Sequence, residues 1–417
     1  MTSKIQAHEA VVDARGGGMK KCIGMPRKGL SSFIRGMERV QNWVGTVLFL
    51  VFLAGLIPLM DLPSVAFAED TASMPGVAPE YAEPQRGLTF PFDHGMHPRF
   101  ETEWWYLTGH LVPEGTPLFG SPTHYGVQLT FFRRRKAEGI WGQVYAAHGA
   151  LGDALSSTFS HDIRYGRSGM GGVEAASGRL GIHLLDWGFE SVADQWILRW
   201  NLPGDREVRL ITEPVSPSMV VRQGLGGFSK KAACERCASM YYSVPQLRAR
   251  GEVRSPSKVE AVSGILWMDH EFMTNALQPD QVGWDWFSIM TERGHSIMLF
   301  RVRGREPSVD FFSGTLSHGG ITTPLSGGDF SIESLGSWTS GASGTTYPQR
   351  WLIRVPQIGF QEELAPILAD QEIRGGGHNA NANDPLTYWE GAVANKSNTV
   401  KGYAELTGYG KPITPGL

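Results

Sequence analysis

Residues 125–132 read YGVQLTFF, and this stretch gives the clearest indication of the fold in the 417-residue chain. Large apolar side chains occupy every second position from Tyr125 to Phe131, and small or polar residues lie between them. Side chains of an extended strand point alternately to opposite faces, so this period of two predicts a strand with one buried face.

Further segments along the chain have the same character and are separated by Gly, Asp, Asn and Pro. They are residues 196–202, 208–212, 264–268, 286–290, 296–302 and 351–355. No long stretch has helical periodicity, and the nearest to one, residues 361–373, is interrupted by Pro366. With 52 glycines and only 19% charged residues, the composition also fits short strands joined by many turns. We therefore predict an all-β protein.

A pattern in the first half of the chain recurs in the second half. EWWY at residues 103–106 opens one strand, and the next strand ends in FFR at 131–133. WDWF at residues 284–287 opens another, and its successor ends in LFR at 299–301. This recurrence predicts two antiparallel β-barrels of similar plan, whose closed sheets leave an apolar interior for a ligand.

The chain length also suits two domains. We place a linker at residues 69–87, which are rich in Pro, Ala and Glu, an N-terminal barrel at 88–252 and a C-terminal barrel at 253–417.

Residues 44–60 (VGTVLFLVFLAGLIPLM) carry no charge, and Ala66-Phe67-Ala68 follows. Small residues at the first and third places before a cut suit signal peptidase, so we expect a signal peptide at 1–68 and export to the periplasm or beyond. A retained N-terminal membrane anchor is the alternative. The segment before residue 44 is long for a signal peptide, so Met25 or Met37 is an alternative start.

Residues 1–68 hold four more basic than acidic residues, so their removal changes the formal net charge from −3 to −7. A mildly acidic protein is a poor ligand for nucleic acids, and no nucleic-acid partner is expected. Of the three cysteines, Cys22 lies in the removed segment. Cys234 and Cys237 form a C-x-x-C motif that suits a local disulfide or two free thiols better than half of a metal site.

The segment DHGMHP at residues 93–98 places His94 and His97 near acidic residues, among them Glu103. Such a set could bind a metal, but histidine–acid pairs in loops are more often structural hydrogen bonds. We therefore expect neither a metal nor another cofactor. The sequence also has no G-x-S-x-G elbow, no glycine-rich phosphate loop before a helix and no H-E-x-x-H motif.

The segment WMDHEF at residues 267–272 carries the leading candidate for catalysis. A strand would bring Trp267 and Asp269 to the same face, with His270 and Glu271 following at its end. On an aromatic inner face Asp269 would be desolvated, so its pKa would rise and it could donate a proton at neutral pH. Alternatively, Asp269 caps a turn or pairs with an arginine such as Arg301 or Arg303.

Two other segments could contribute. In SMYYS at residues 239–243, Tyr241 and Ser243 share a face, where a tyrosine hydroxyl could donate to a substrate or simply pack. In Trp284-Asp285-Trp286 the tryptophans suit a barrel core, and Asp285 lies outside it or is paired.

Long motifs of this chain resemble, in order, the hydroxyneurosporene synthase or carotenoid 1,2-hydratase (CrtC) family, especially its secreted, lipocalin-like branch, called AttH-like. They are FPFDHGMHPRFETEWWYLTGHL at residues 90–111, YGVQLTFFR, AAHGALGD, DWGF, SMYYSVPQL, GILWMDHEF, GWDWFSIM, MLFRVR, YPQRW, YWEGAV and GYAELTGY. The resemblance covers nearly all of residues 85–410. It implies two lipocalin-like barrels packed together and cofactor-free addition of water to an isolated C=C bond.

The resemblance also implies roles for particular residues. The hydratases carry their proposed acid in a Tyr-x-Asp strand, which matches Trp267-Met268-Asp269 here, and they place a His and a Trp on the preceding strand, which reads MYYS here. Asp269 would be the catalytic acid of a hydro-lyase. The residues expected to line its pocket are Trp267, Tyr241, Ser243, Trp104, Trp105, His270 and Glu271. The alternative is a non-catalytic periplasmic carrier of an apolar lipid or isoprenoid, linked to an envelope ABC-type export system.

Overall fold

The computed structural model describes residues 78–137, 140–169, 172–274, 277–375 and 387–413. They belong to one compact unit, Ser73–Leu417. The predicted signal peptide at 1–68 and the first half of the predicted linker lie outside the described residues. Within the described part, no helix is long and apolar enough to cross a membrane.

The regular structure of the described residues is almost entirely antiparallel β-strand, as the alternating patterns predict. Every segment predicted as a strand from its alternation lies within an observed strand. The helical residues form short 3-10 turns at Phe92–His94, Ile140–Gly142, Pro217–Met219, Pro307–Val309 and Pro356–Ile358. The segment nearest to a helical pattern, residues 361–373, instead begins as a strand that ends at Pro366, because proline cannot donate a ladder hydrogen bond.

Within the described residues, thirteen strands form the first sheet, which curls around a core of its own. They are β1 (Thr102–Pro113), β2 (Tyr125–Arg135), β3 (Gln143–Asp153), β4 (Thr158–Arg167), β5 (Val173–Ala175), β6 (Gly181–Leu184), β7 (Trp187–Val192), β8 (Gln195–Leu202), β9 (Arg206–Thr212), β10 (Val221–Arg222), β11 (Phe228–Lys230), β12 (Ala238–Ser255) and β13 (Lys258–Met273). Their order is β4-β3-β2-β1-β13-β12-β9-β8-β7-β6-β5, with β10 and β11 added beside β12.

In the part of the chain that the structure describes, ten strands form the second sheet, which encloses a second core. They are β14 (Gln281–Thr291), β15 (Ser296–Gly304), β16 (Phe311–His318), β17 (Ile321–Ser326), β18 (Ser331–Thr339), β19 (Thr346–Val355), β20 (Phe360–Pro366), β21 (Glu372–Ile373), β22 (Tyr388–Ala394) and β23 (Val400–Leu406). Their order is β17-β16-β15-β14-β23-β22-β20-β19-β18, with β21 beside β22.

The two sheets share one plan. In each, the first four strands pair consecutively, and the first strand then pairs with the last one along the chain: β1 with β13, and β14 with β23. The recurring sequence pattern marks equivalent places in this plan, since EWWY opens β1 and WDWF lies on β14. Two curled, barrel-like antiparallel sheets are the fold that the sequence predicts.

The change from one sheet to the other comes later than the predicted boundary at residues 252 and 253. That boundary falls inside β12, and β13, which pairs with both β12 and β1, still belongs to the first sheet. We therefore place the change between Met273 and Gln281. The run RGEVRSPS that suggested a boundary is the end of β12 followed by the tight turn at residues 256 and 257 that leads into β13, so it is not a linker.

A third apolar cluster lies between the two sheets, and we call it the interface cluster. Its buried members are Tyr106, Tyr241, Ile265, Trp267, Leu277, Trp286, Met290, Met298, Phe300, Val302, Ala392 and Tyr403. Gly126 of β2 shows how closely the sheets approach, since a Cβ there would lie 2.7 Å from the Cβ of Ala392 on β22. The central strands of the first sheet are thus buried on both faces.

Candidate active site

Strand β13 carries two different sets of side chains on its two buried faces. Met268 and Phe272 point into the core of the first sheet, whereas Trp267 points into the interface cluster. Because side chains alternate along a strand, Asp269 and Glu271 share the face of Trp267. The leading candidate therefore faces the second sheet.

Asp269 is 2% exposed and is held by donors from two strands. Its Oδ2 accepts a hydrogen bond from the Tyr241 hydroxyl at 2.5 Å. Its Oδ1 accepts from the Trp267 indole N–H at 2.7 Å and from the Ser243 hydroxyl. Ser243 is itself fixed by the side-chain amide of Gln223, which donates to its oxygen at 2.7 Å. The predicted residues Trp267, Tyr241 and Ser243 are therefore brought together around the acid.

Burial raises the pKa of Asp269 to about 7, against the opposing effect of hydrogen bonds from Ser243, Tyr241 and Trp267. A nearby Glu271 carboxylate adds to the rise. No arginine pairs with this acid among the described residues, since Arg301 pairs with Asp310 and Arg303 with Asp285. Asp269 is therefore balanced between its protonated and ionised forms near neutral pH.

Glu271 lies two residues further along the same face and has a cationic partner. Its Oε1 is 2.7 Å from the Lys231 ammonium and accepts a hydrogen bond from Ser239. The Lys231 ammonium in turn lies 4.8 Å from the ring centre of Tyr241 and 4.3 Å from that of Phe300. Glu271 therefore has a cationic partner that Asp269 lacks among the described residues.

Aromatic rings surround the Asp269 carboxyl from both sheets. The Trp286 indole N–H on β14 donates to the Tyr241 hydroxyl at 3.0 Å, and the Trp286 ring meets Trp267 and Tyr106 edge to face. Tyr106 on β1 lies directly across the ladder from Asp269. Trp104, two residues earlier on the same face, packs against the interface cluster and is partly buried. Such rings can stabilise a cation next to the acid.

Two residues predicted to line this site, Trp105 and His270, lie on the opposite face of the sheet. Trp105 belongs to the first core, where it stacks on His270 with ring centres 4.7 Å apart. The prediction placed His270 and Glu271 at the end of a strand, and it assigned the neighbours Trp104 and Trp105 to the same pocket lining. Both strands continue, β13 as far as Met273, so alternation sends Trp105 and His270 away from Asp269.

On that opposite face, His97, Glu103 and His270 bring possible metal-ligating atoms within 4.8 Å of one another. Glu103 Oε1 lies 2.7 Å from His97 Nδ1 and 2.9 Å from His270 Nε2, and its Oε2 lies 2.7 Å from Arg133 Nε. His97 Nε2 lies 2.8 Å from Asp93. Glu103 therefore faces the Arg133 guanidinium, and His97 is hydrogen-bonded to both Glu103 and Asp93. The positive and negative charges of the set balance each other, and we interpret it as a structural network.

The pKa values of the network agree with this interpretation. Burial would raise the pKa of Glu103, but Arg133 and His97 lower it well below its usual value. Burial would likewise lower the pKa of His97, but Glu103 and Asp93 raise it. The network ties the segment before β1 to β1, β2 and β13. The segment DHGMHP is therefore held against the strands by this network.

Sequence reasoning missed Glu390, Glu405 and Tyr106. Glu390 on β22 and Glu405 on β23 lie directly opposite each other, and Glu405 lies opposite Trp286. The Trp284 indole N–H donates to Glu405 at 2.8 Å. Both acids lie in motifs named above, YWEGAV and GYAELTGY. The neighbouring residues in the sequence do not distinguish an acid on a buried face from one exposed to solvent.

The remaining predicted features are structural. Asp285 is buried and paired, with its Oδ1 3.1 Å from Arg303 and 2.9 Å from the Tyr409 hydroxyl. The expected position of the tryptophans in a barrel core is wrong: Trp286 belongs to the interface cluster and Trp284 packs against it, whereas Phe287 points into the second core. Cys234 and Cys237 form a disulfide, one of the two forms that the sequence left open. The loop they close lies just after Lys231, whose backbone N–H donates to the Cys237 carbonyl at 2.8 Å.

A model of the AttH-like family matches residues 81–409, which cover both sheets and the interface between them. The chain belongs to the AttH-like family. A crystal structure of a candidate AttH protein from Nitrosomonas europaea is similar, with 31% identity and a TM-score of 0.68, over 80% of this chain and all of that one. No curated protein matches the sequence.

Kievitone hydratase from Nectria haematococca shares the fold of this AttH-like chain. The identity is 13% and the TM-score 0.56, over 80% of this chain and 97% of that one. The two-sheet architecture is thus common to proteins whose sequences have diverged far. In this chain the hydroxyl donor to the acid comes from Tyr241 on the neighbouring strand, while the position two residues before Asp269 holds Trp267.

Proposed function

We propose that this protein is a cofactor-independent hydro-lyase that adds water to an isolated carbon–carbon double bond of an isoprenoid chain. The observation that carries the proposal is Asp269, a buried acid with no cationic partner among the described residues, held against aromatic rings from two sheets. Protonation of a trisubstituted alkene needs an acid that is still protonated near neutral pH and surroundings that tolerate a carbocation. Asp269 and its neighbours supply both.

The reaction follows from these groups. The Asp269 O–H bond breaks as a C–H bond forms at the less substituted alkene carbon, and the π electrons leave a tertiary cation. Faces of Trp267 and Trp286 stabilise that cation. Water then attacks the cation, and one of its protons passes to the ionised Asp269 carboxylate, which gives a tertiary alcohol and restores the acid. Kievitone hydratase, whose name states a hydration, supports the proposal as a protein of the same fold. An acyclic carotenoid is the finer substrate proposal, from the sequence resemblance.

The test uses the full chain with lycopene in detergent micelles and 2-dimethylallylphenol as probes, in water enriched in oxygen-18. We expect labelled tertiary alcohol from the wild-type protein and a loss of at least 100-fold in Asp269→Asn. Asp310→Asn, which removes a buried aspartate paired with Arg301, is the matched control and should keep the label. Equal labelling in wild type and Asp269→Asn would remove Asp269 from the mechanism.

A carrier of an apolar ligand is the second candidate. It is favoured by the hydrogen bonds that occupy both oxygens of Asp269, because a fully satisfied carboxyl can be purely structural. A groove of 660 Å³ is lined by residues that include Arg248 and Arg250 but not Asp269. A carrier could therefore hold its ligand in this groove, away from Asp269. Lipid that co-purifies equally with wild type and Asp269→Asn, without labelled alcohol, would favour the carrier.

We also propose that the protein acts outside the cytoplasm, after cleavage behind Ala68, with an envelope ABC-type export system as a partner. The uncharged run at residues 44–60 and the Ala-Phe-Ala sequence support export. N-terminal sequencing of the protein from fractionated cells should begin at Glu69, whereas an intact N-terminus in the membrane fraction would indicate the anchored alternative.

A further inference from the structure

The outer face of the first sheet carries a row of apolar side chains that begins beside Asp269. Its members are paired from strand to strand, and they are Trp104 of β1, Phe132 of β2, Ala146 of β3 and Tyr165 of β4. We call these four residues the outer row. Across the ladder between β1 and β13, Trp104 and Asp269 are diagonal neighbours on the same face. The outer row therefore starts next to the candidate acid.

The orientation of the outer row follows from the residues beside it along each strand. Those that belong to the first core are Trp105, Phe131, Tyr145 and Ala147. A Cβ at Gly166 would likewise meet Leu184 of that core. Because side chains alternate along a strand, the outer row points away from the first core. The Phe132 ring lies on the same outer face as the ring of His148, with ring centres 4.9 Å apart.

The outer row runs along the rim of the contact between the two sheets. On one side of it, His148 is 4% exposed, and its Nδ1 lies 2.7 Å from the Tyr388 hydroxyl of the second sheet. On the other side lie Arg134, Val144 and Arg167, which also pair from strand to strand. Successive rows on one face are about 7 Å apart. The apolar strip between the second sheet and the arginines is thus one side chain wide, which suits a single linear chain and is too narrow for a helix about 10 Å across.

Exposure increases along the outer row with distance from Asp269. Glu271, the strand partner of Trp104, is 5% exposed, whereas Tyr165 at the far end is 58% exposed. The three members between them are half-buried. Alanine is the smallest member, so the row is lowest at Ala146, between two aromatic rings. Trp104 also packs against the interface cluster, so the row is continuous with the apolar surroundings of the acid. Partly exposed apolar surface of this kind is typical of ligand-binding grooves.

We propose that the outer row binds the extended part of a linear isoprenoid chain whose terminal double bond reaches Asp269. This inference rests on the proposed function and defines its substrates as chains of several prenyl units. Neighbouring strands lie about 4.8 Å apart, so Trp104 and Tyr165 are separated by about 14 Å. A chain that crosses the strands along this line buries its carbon atoms against the rings of the row. A single prenyl unit is too short to reach Tyr165. The outer row thus selects substrates by chain length and takes no part in proton transfer.

Ala146→Arg tests this selection, because it places a long charged side chain in the middle of the row. The probes are lycopene, a long chain, and 2-dimethylallylphenol, which carries one prenyl unit, each at a concentration below its KM in water enriched in oxygen-18. We expect hydration of lycopene to fall by about 10-fold or more, and hydration of the short probe to stay within about 2-fold of wild type. Ala261→Arg, at an exposed position of β13 outside the row, is the matched control and should change neither.

Phe132→Ser should act in the same direction, because it removes an aromatic ring from the row. Its matched control is Phe159→Ser, which removes a half-buried phenylalanine from the same outer face, where it packs against Ile373 and Tyr388 away from the row. Circular dichroism and thermal unfolding establish that each variant is folded. Folded Ala146→Arg and Phe132→Ser that treat both probes as the wild type does, or that lose both probes equally, would overturn the outer row as a binding site.

A binding measurement separates this inference from the proposed function. Lycopene binding to Asp269→Asn, followed by the shift of its visible absorption spectrum, does not depend on turnover. Adding Ala146→Arg to this variant should weaken binding by about 10-fold or more. If the wild type yields no labelled alcohol from either probe, the proposed function fails, whereas weaker binding in the double variant still supports the outer row. Absence of lycopene binding, or equal binding with and without Ala146→Arg, would overturn the outer row even where the short probe is hydrated.

Discussion

At the scale of single residues, two opposing effects decide the protonation state of Asp269. Burial favours the neutral carboxyl, and three hydrogen-bond donors favour the carboxylate. A hydrogen bond to a charged group is worth about 1.5–3 kcal/mol, so three of them offset much of the desolvation. The donors come from Tyr241, Ser243 and Trp267, two of them on the neighbouring strand. The strand pairing therefore sets the acidity as much as the burial does.

This balance predicts how Asp269→Asn changes stability with pH. The folded pKa is raised from 3.8 to about 7, so the folded state binds the proton more tightly than the unfolded chain does. Asp269 therefore causes no loss of stability below pH 4, and it destabilises the fold increasingly as pH rises from 4 to 7. Asparagine does not ionise. We expect Asp269→Asn to be more stable than wild type at pH 8 by up to a few kcal/mol, with a smaller difference at pH 4.

Urea unfolding at the two pH values measures this difference. Asp310→Asn, whose aspartate is paired with Arg301, serves as the control and should be less stable than wild type at pH 8. A difference between Asp269→Asn and wild type that is the same at pH 4 and pH 8 would mean that Asp269 has an ordinary pKa in the folded protein.

At the scale of strands, the structural network around Glu103 joins three strands to the segment that precedes β1. Glu103 of β1 and Arg133 of β2 are both fully buried and form an ion pair at 2.7 Å. The Arg133 guanidinium also donates to the carbonyls of His97 and Phe100 at 2.9 and 2.8 Å. The same arginine therefore holds both the acid and the backbone of the incoming segment.

Arg133→Met should cost about 3–5 kcal/mol of unfolding free energy, because it leaves the Glu103 charge buried without its partner. Adding Glu103→Gln should recover part of the loss, which a double-mutant cycle by urea unfolding measures. Arg350→Met is the matched control, since the Arg350–Glu363 pair is about half exposed and should contribute less than about 1 kcal/mol. Equal losses for Arg133→Met and Arg350→Met would contradict the assigned role.

Much of the fold could be predicted because strand alternation is local. The pattern of residues 125–132 and the shared face of Trp267 and Asp269 both come from neighbouring positions. The register between strands cannot be read from neighbouring positions in the sequence. That register brings Tyr241 next to Asp269 and Glu390 opposite Glu405. The predicted lining is wrong at His270, where the strand end was placed too early, and at Trp105, which was grouped with its neighbour Trp104 although adjacent residues of a strand point to opposite faces.

At the scale of the whole molecule, the two sheets share more than an apolar contact. Lys401 of β23 donates from its buried ammonium to Thr123 and to the Ser121 carbonyl of the loop between β1 and β2, at 2.7 and 3.1 Å. His110 of β1 donates to the Gly402 carbonyl at 2.7 Å. These polar contacts cross the same interface as the interface cluster. Each sheet on its own would therefore expose apolar and polar groups that the other sheet covers.

We therefore expect one cooperative unfolding transition for both sheets. Scanning calorimetry should give a single peak whose calorimetric and van't Hoff enthalpies agree, and far-UV and near-UV circular dichroism should change together. Two resolved peaks would show that the sheets are independent and that the interface contributes little to stability. Lys401→Met, which removes a donor from the contacts across the interface, should lower the midpoint without splitting the peak.

The common plan of the two sheets has an evolutionary consequence. If both descend from one ancestral gene, the ancestor was a homodimer that buried its interface face against a second copy of itself. In a homodimer both copies carry the same residue at every position, so a single acid on one side of the interface cannot arise. Fusion of the two copies removes that symmetry, because each position can then mutate alone. Asp269 pairs with Tyr106 in the first sheet, and the equivalent place in the second sheet holds Tyr403, paired with Ser288, so the acid stands on one side of the interface only.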